Sequence, residues 1–134
     1  MNIKNISAGL DQRERFPWIN AYMINGSAVI DPGLGYDAGE NINLKSIESI
    51  FLTFPHPEHY GILENLEFED VTVYLRDRDE IDLDADYRIV EVSGGDTVRL
   101  GGKEFQVIER KGLMPSLGLY SQERNLLFSG HLFI

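Results

Sequence analysis

The chain contains three histidines, His56, His59 and His131, and no cysteine. Two of them lie in the string Thr53-Phe54-Pro55-His56-Pro57-Glu58-His59-Tyr60-Gly61, and the third directly follows Ser129-Gly130. Imidazole nitrogens and a carboxylate oxygen gathered this closely form a donor set that suits Zn, Fe or Mn. Pro55 and Pro57 restrict the loop before it binds anything, which lowers the entropy lost on ordering it around an ion. The same string also reads as a solvated surface turn. Without cysteine, a disulfide framework, a thiol nucleophile and a thiolate metal site are excluded, so any metal chemistry rests on nitrogen and oxygen ligands.

The histidines need a scaffold that aims them, and strand ends with adjoining loops commonly do this. Apolar residues come in short runs between Gly, Asn, Asp and Pro, the pattern of many short strands. Residues 19–24 and 27–30 flank Asn25-Gly26, a strong two-residue hairpin signal because both residues tolerate positive φ. Asp31-Pro32-Gly33 ends the second strand, and Asp31 reads either as a turn residue or as a support for the histidine loop. Residues 47–53 form a buried strand that runs into that loop. Tyr60, Leu63 and Leu66 recur at helical spacing, which predicts a short helix starting near Glu58 or His59.

Residues 71–75 and 89–92 read as further strands, with an acidic surface loop or helical turn over 77–86. Residues 98–108 predict a hairpin turned at Gly101-Gly102, and 117–120 with 126–128 predict a last hairpin, just before His131. Trp18 and Tyr22 are read as core or partner contacts. This is one α+β domain over residues 1–134, with a strand-loop-helix unit in its middle.

Composition narrows the partners. Twelve Lys and Arg oppose 22 Asp and Glu, a formal charge of −10 over 134 residues. Nucleic-acid and basic membrane-surface binding both need clustered cations, so neither is expected. The N-terminus has no apolar signal-peptide core, and no apolar run is long enough to cross a bilayer, so the expectation is a soluble, cytoplasmic protein.

Four fragments, in order, resemble the metallo-β-lactamase-fold superfamily. Residues 20–33 are similar to its opening hairpin and Ile-Asp-Thr-Gly turn. Ile50-Phe51-Leu52-Thr53 with the following loop resembles the strand leading into Thr-His-x-His-x-Asp-His-x-Gly. Gly112-Leu113-Met114-Pro115-Ser116 resembles the Gly-His-Thr-Pro-Gly segment, and Leu127-Phe128-Ser129-Gly130-His131 resembles Leu-Phe-Ser-Gly-Asp. The resemblance implies an αββα sandwich, truncated at the C-terminus, with mostly antiparallel or mixed sheets and short helices.

It also implies a damaged site. The family's first metal is held at positions that here are Phe54, His56 and Leu113. The second uses positions corresponding to Glu58, His59 and His131, and a final histidine without a counterpart before Ile134. What remains is His56, Glu58, His59 and His131, a set for at most one Zn, Fe or Mn ion, with Glu58 as ligand or general base. The family role of Asp31 is to orient the metal loop through hydrogen bonds.

Two functions follow from the resemblance. One is a metal-dependent hydrolase of unknown small-molecule substrate. The other is a catalytically inactive domain, with Phe54 and Leu113 filling the vacated cavity, that serves binding or assembly. An incomplete sandwich exposes a sheet face or edge, so a homo-oligomer is expected.

Overall fold

Asn25 and Gly26 turn the chain where the sequence places its first hairpin, both at positive φ, 50° and 68°. The flanking strands are β2 (Tyr22–Ile24) and β3 (Ala28–Ile30). The connection takes three residues rather than two, because Ile24 pairs with Ala28 and the Ser27 amide donates to the Ile24 carbonyl at 3.1 Å. The computed structural model describes residues 1–5, 21–31, 46–54, 70–81, 87–112 and 115–129.

Beyond β3 the chain adds β4 (Ser49–Phe51), β5 (Thr72–Leu75) and β6 (Arg88–Glu91), each parallel to the strand before it. With β1 (Ile3–Asn5) antiparallel on β2, they form a six-stranded mixed sheet in the order β1-β2-β3-β4-β5-β6. Parallel neighbours require crossover connections of about a dozen residues or more, and residues 31–48, 52–71 and 76–87 supply that length. The second sheet is antiparallel throughout: β7 (Thr97–Leu100), β8 (Lys103–Arg110), β9 (Ser116–Ser121) and β10 (Leu126–Phe128), in the order β10-β9-β8-β7.

Alternation along the strands decides which residues meet. Ile24, Ala28, Ile30 and Phe51 from the first sheet pack with Val98, Leu100, Phe105, Val107, Leu117, Leu119 and Phe128 from the second. This is the core between the sheets. Tyr22 closes one side of it, its ring edge-on to Phe128 with centroids 5.3 Å apart, as expected of a core aromatic. The opposite face of the first sheet is also apolar: Met23, Val29, Ile50, Val73 and Leu75 cluster there with Ile47, Leu52 and Val71. Strands buried on both faces read as continuous apolar runs, as residues 50–52 do.

One element differs from the sequence expectation. β1 was not expected, since Ile3-Lys4-Asn5 has no strand pattern. It is recruited by Asn25, whose amide donates to the Asn2 carbonyl and whose Oδ1 accepts from the Asn2 amide, both at 2.7 Å. The helix expected near Glu58 lies outside the described residues. Among the described residues the helical element is a 3-10 turn, Arg78–Glu80, inside the acidic stretch, with Asp77 capping it by accepting from the Asp79 amide. An Arg76–Glu80 ion pair spans the turn.

Asn25 also joins the two sheets at their hairpin tips, since its Nδ2 donates to the Gly101 carbonyl at 2.7 Å. Gly101 has φ 60°, and a Cβ there would sit 2.8 Å from the Ile24 carbonyl oxygen, so this approach requires glycine. Gly101→Ala is expected to destabilise the fold by roughly 2 kcal/mol. A urea midpoint equal to that of the natural sequence would contradict the close contact.

Candidate functional site

At the other end of the sandwich, the strand ends lead into the histidine loop. Asp31 directly follows β3, and its amide continues the ladder by donating to the Phe51 carbonyl at 3.0 Å. Its φ of 49° lies in the left-handed region, which Asp tolerates better than most residues. That conformation ends the strand while the side chain stays buried, 3% exposed.

The Asp31 carboxylate holds Thr53 by two atoms. Oδ1 accepts from the Thr53 amide at 2.8 Å and Oδ2 accepts from Thr53 Oγ1 at 2.5 Å. Thr53 lies two residues beyond the last residue of β4 and is itself buried, 2% exposed. Its carbonyl accepts from the Leu117 amide at 2.8 Å, at the start of β9. A single polar chain, Asp31 to Thr53 to Leu117, therefore ties β3, β4 and β9 together across both sheets. A buried carboxylate is tolerated only when its oxygens are satisfied, and bonds to an ionised acceptor are stronger than neutral ones.

Thr53 is the partner of Asp31 that the sequence alone does not assign. Its signal is a hydroxyl closing the apolar run Ile50-Phe51-Leu52, at a position where burial alone favours a hydrocarbon. Phe54 follows and is half-buried. It lines a cleft with Thr53 and Pro115, next to the Arg76–Glu80 pair. The aromatic ring thus stands beside the segment that follows Leu113. Ser116, at the start of β9, is 1% exposed and its Oγ has no hydrogen-bond partner among the described residues.

His56, Glu58, His59 and His131 lie outside the described residues, as does Leu113. Among the described residues no three His, Asp or Glu side chains gather as a metal-holding group. What the described residues show is the anchor. It fixes the chain at Thr53, three residues before His56, to a rigid strand end. Both Asp31 oxygens accept from Thr53. The effect is to fix where the loop begins.

No family model matches the sequence, and no curated protein matches it. Solved structures do. A metallo-β-lactamase family protein from Thermus thermophilus superposes with a TM-score of 0.67 at 16% identity, over 93% of this chain and 57% of that one. A β-lactamase domain protein from Burkholderia ambifaria gives 0.63 at 15% identity, over 95% and 52%. A metal-soaked flavodiiron core from Synechocystis gives 0.64 at 19%, over 77% and 31%. The chain spans about half the length of the first two. These likenesses show the fold: the two sheets are those of a metallo-β-lactamase fold. No helix among the described residues is long and apolar enough to cross a membrane.

Removing the anchor tests its weight. Asp31→Ala leaves the Thr53 amide and hydroxyl buried without acceptors and is expected to cost about 3 kcal/mol or more. Thr53→Val keeps the amide bond and is expected to cost about 1–2 kcal/mol. Both are read from urea unfolding, and a double variant that merely adds the two losses would show the residues to be uncoupled.

Proposed function

We propose that this protein is a metallo-β-lactamase-fold hydrolase-like protein whose site holds at most one metal ion, in a set formed by His56, Glu58, His59 and His131. The observation that carries this reading is the buried Asp31–Thr53 anchor at the mouth of the histidine loop. A strand end needs no carboxylate, and burying one is costly. Retaining it, doubly bonded to the residue that opens the loop, fits a loop whose start must be held in place.

The donor set fits one ion and not two. Three imidazoles and one carboxylate give a nitrogen- and oxygen-rich set of the kind Zn, Fe and Mn accept, with room for water. Phe54 occupies the position of a first-metal histidine and offers no lone pair. When bound, the ion would supply a water of lowered pKa for attack on an ester, thioester, amide or phosphodiester bond. Glu58 would be a ligand or the general base. Asp31 and Thr53 hold the loop start, and Phe54 keeps one wall of the site apolar and excludes water from it. The acidic surface favours a small-molecule substrate over nucleic acid.

A second reading, a catalytically inactive domain for binding or assembly, is favoured by a different observation. Ile108 and Leu127, each 38% exposed, are surface hydrophobics on β8 and β10 of the second sheet. A homo-oligomer would give such residues cover, and a monomeric mass by light scattering at micromolar concentration would contradict it.

Elemental analysis of protein grown with Zn, Fe and Mn is expected to find about one equivalent of metal, falling on His59→Ala or His131→Ala. Less than about a tenth of an equivalent would overturn the metal reading and leave the inactive domain. The paired change Phe54→His with Leu113→His is expected to raise the content towards about two equivalents.

A further inference from the structure

We propose that Asn25 is a self-modification site: it is the asparagine that the folded chain deamidates first, and its loss releases the latch between the two hairpin tips. Asn25-Gly26 is the one Asn-Gly pair of the sequence, since every other asparagine precedes Ile, Leu or Ala. Both residues are exposed, and among the described residues no atom beyond Gly26 and its chain neighbours lies within 4 Å of the place where a Gly26 Cβ would stand. The Gly26 nitrogen is therefore unshielded by any side chain of its own, whereas an Ile, Leu or Ala side chain crowds the corresponding nitrogen at the other asparagines.

The reaction needs only water. The Gly26 nitrogen adds to Asn25 Cγ, and Nδ2 leaves as ammonia, carrying the proton from Gly26. The cyclic imide that results is opened by water at either carbonyl, giving aspartate or isoaspartate at position 25. In the closed turn the side-chain amide is held at both ends, with Oδ1 accepting from the Asn2 amide and Nδ2 donating to the Gly101 carbonyl, both at 2.7 Å. Cγ cannot swing onto Gly26 while both bonds stand, so ring closure proceeds from a transiently opened turn.

The product cannot re-form the latch. Nδ2 becomes a carboxylate oxygen that faces the Gly101 oxygen with no hydrogen to give, so an attractive contact at 2.7 Å becomes a repulsive one. Aspartate tolerates the left-handed backbone at this position, so the defect lies in the lost donor. Isoaspartate adds a backbone methylene to a turn that holds two successive positive φ values. Both sheets feel the change, because the same side chain also holds Asn2, the residue before β1, against the first hairpin.

The test ages the full chain in warm, mildly alkaline buffer and maps the sites by peptide mass spectrometry. Asn25 is expected to convert first, to a mixture of aspartate and isoaspartate, and the converted fraction to unfold at lower urea than the remainder. N25D mimics one product, and N25G removes the side chain without adding charge. N25D is expected to be at least as unstable as N25G, with amide exchange at Gly101, Gly102 and Lys103 faster by on the order of tenfold. If N25D does not fold, the converted fraction of the aged natural sequence carries the measurement. A different asparagine converting first, or a converted protein with unaltered urea midpoint and exchange, would overturn the proposal.

Discussion

The fold's functional end depends on one buried carboxylate. Asp31 sits where β3 stops, and burial obliges it to find donors. It finds them in Thr53, the residue at which β4 gives way to the loop, and Thr53 in turn receives the Leu117 amide from the opposite sheet. Three strands and both layers are thus fixed relative to one another at the point where the histidine loop begins. Apolar packing alone could let two sheets slide, because it is not directional. Hydrogen bonds with fixed donors and acceptors set the register.

The far end of the sandwich is locked by a different device. There Asn25 bridges β1, the first hairpin and the tip of the β7–β8 hairpin, and Gly101 permits the approach by having no side chain. The two locks have opposite environments. The Asp31 anchor is buried and durable, whereas the Asn25 latch is exposed to solvent and to its chemistry. Between them lies the apolar core of Phe51, Phe105, Leu117 and Leu119, each with no measurable exposure. The scaffold therefore fixes the strand end at Thr53, from which the histidine loop departs.

Much of this was legible in the residues. The hairpins at Asn25-Gly26 and Gly101-Gly102 follow from turn chemistry that few residues satisfy, and all four occupy positive φ. The last hairpin follows from apolar runs around a polar turn. What was not legible depends on distant partners. β1 has no pattern of its own and exists because Asn25 supplies its first bonds. The parallel order of β3 to β6 is hidden because a short apolar strand does not encode its neighbour's direction. The strand limits differ by a residue where pairing, not hydrophobicity, decides, as at Ser27. The role of Thr53 required knowing that Asp31 lies beside it, and a separation of 22 residues in sequence does not reveal that.

The proposed site is a single ion held by an anchored, reduced loop. X-ray absorption at the metal edge of the purified, loaded protein tests it most directly. The expected first shell is imidazole nitrogens with a carboxylate or water oxygen at about 2.0–2.2 Å, and no metal–metal scattering. A metal–metal vector near ~3.5–4 Å, the separation of two-metal sites, would contradict it. So would a shell of oxygen alone, which would place the ion on the acidic surface and not among the histidines.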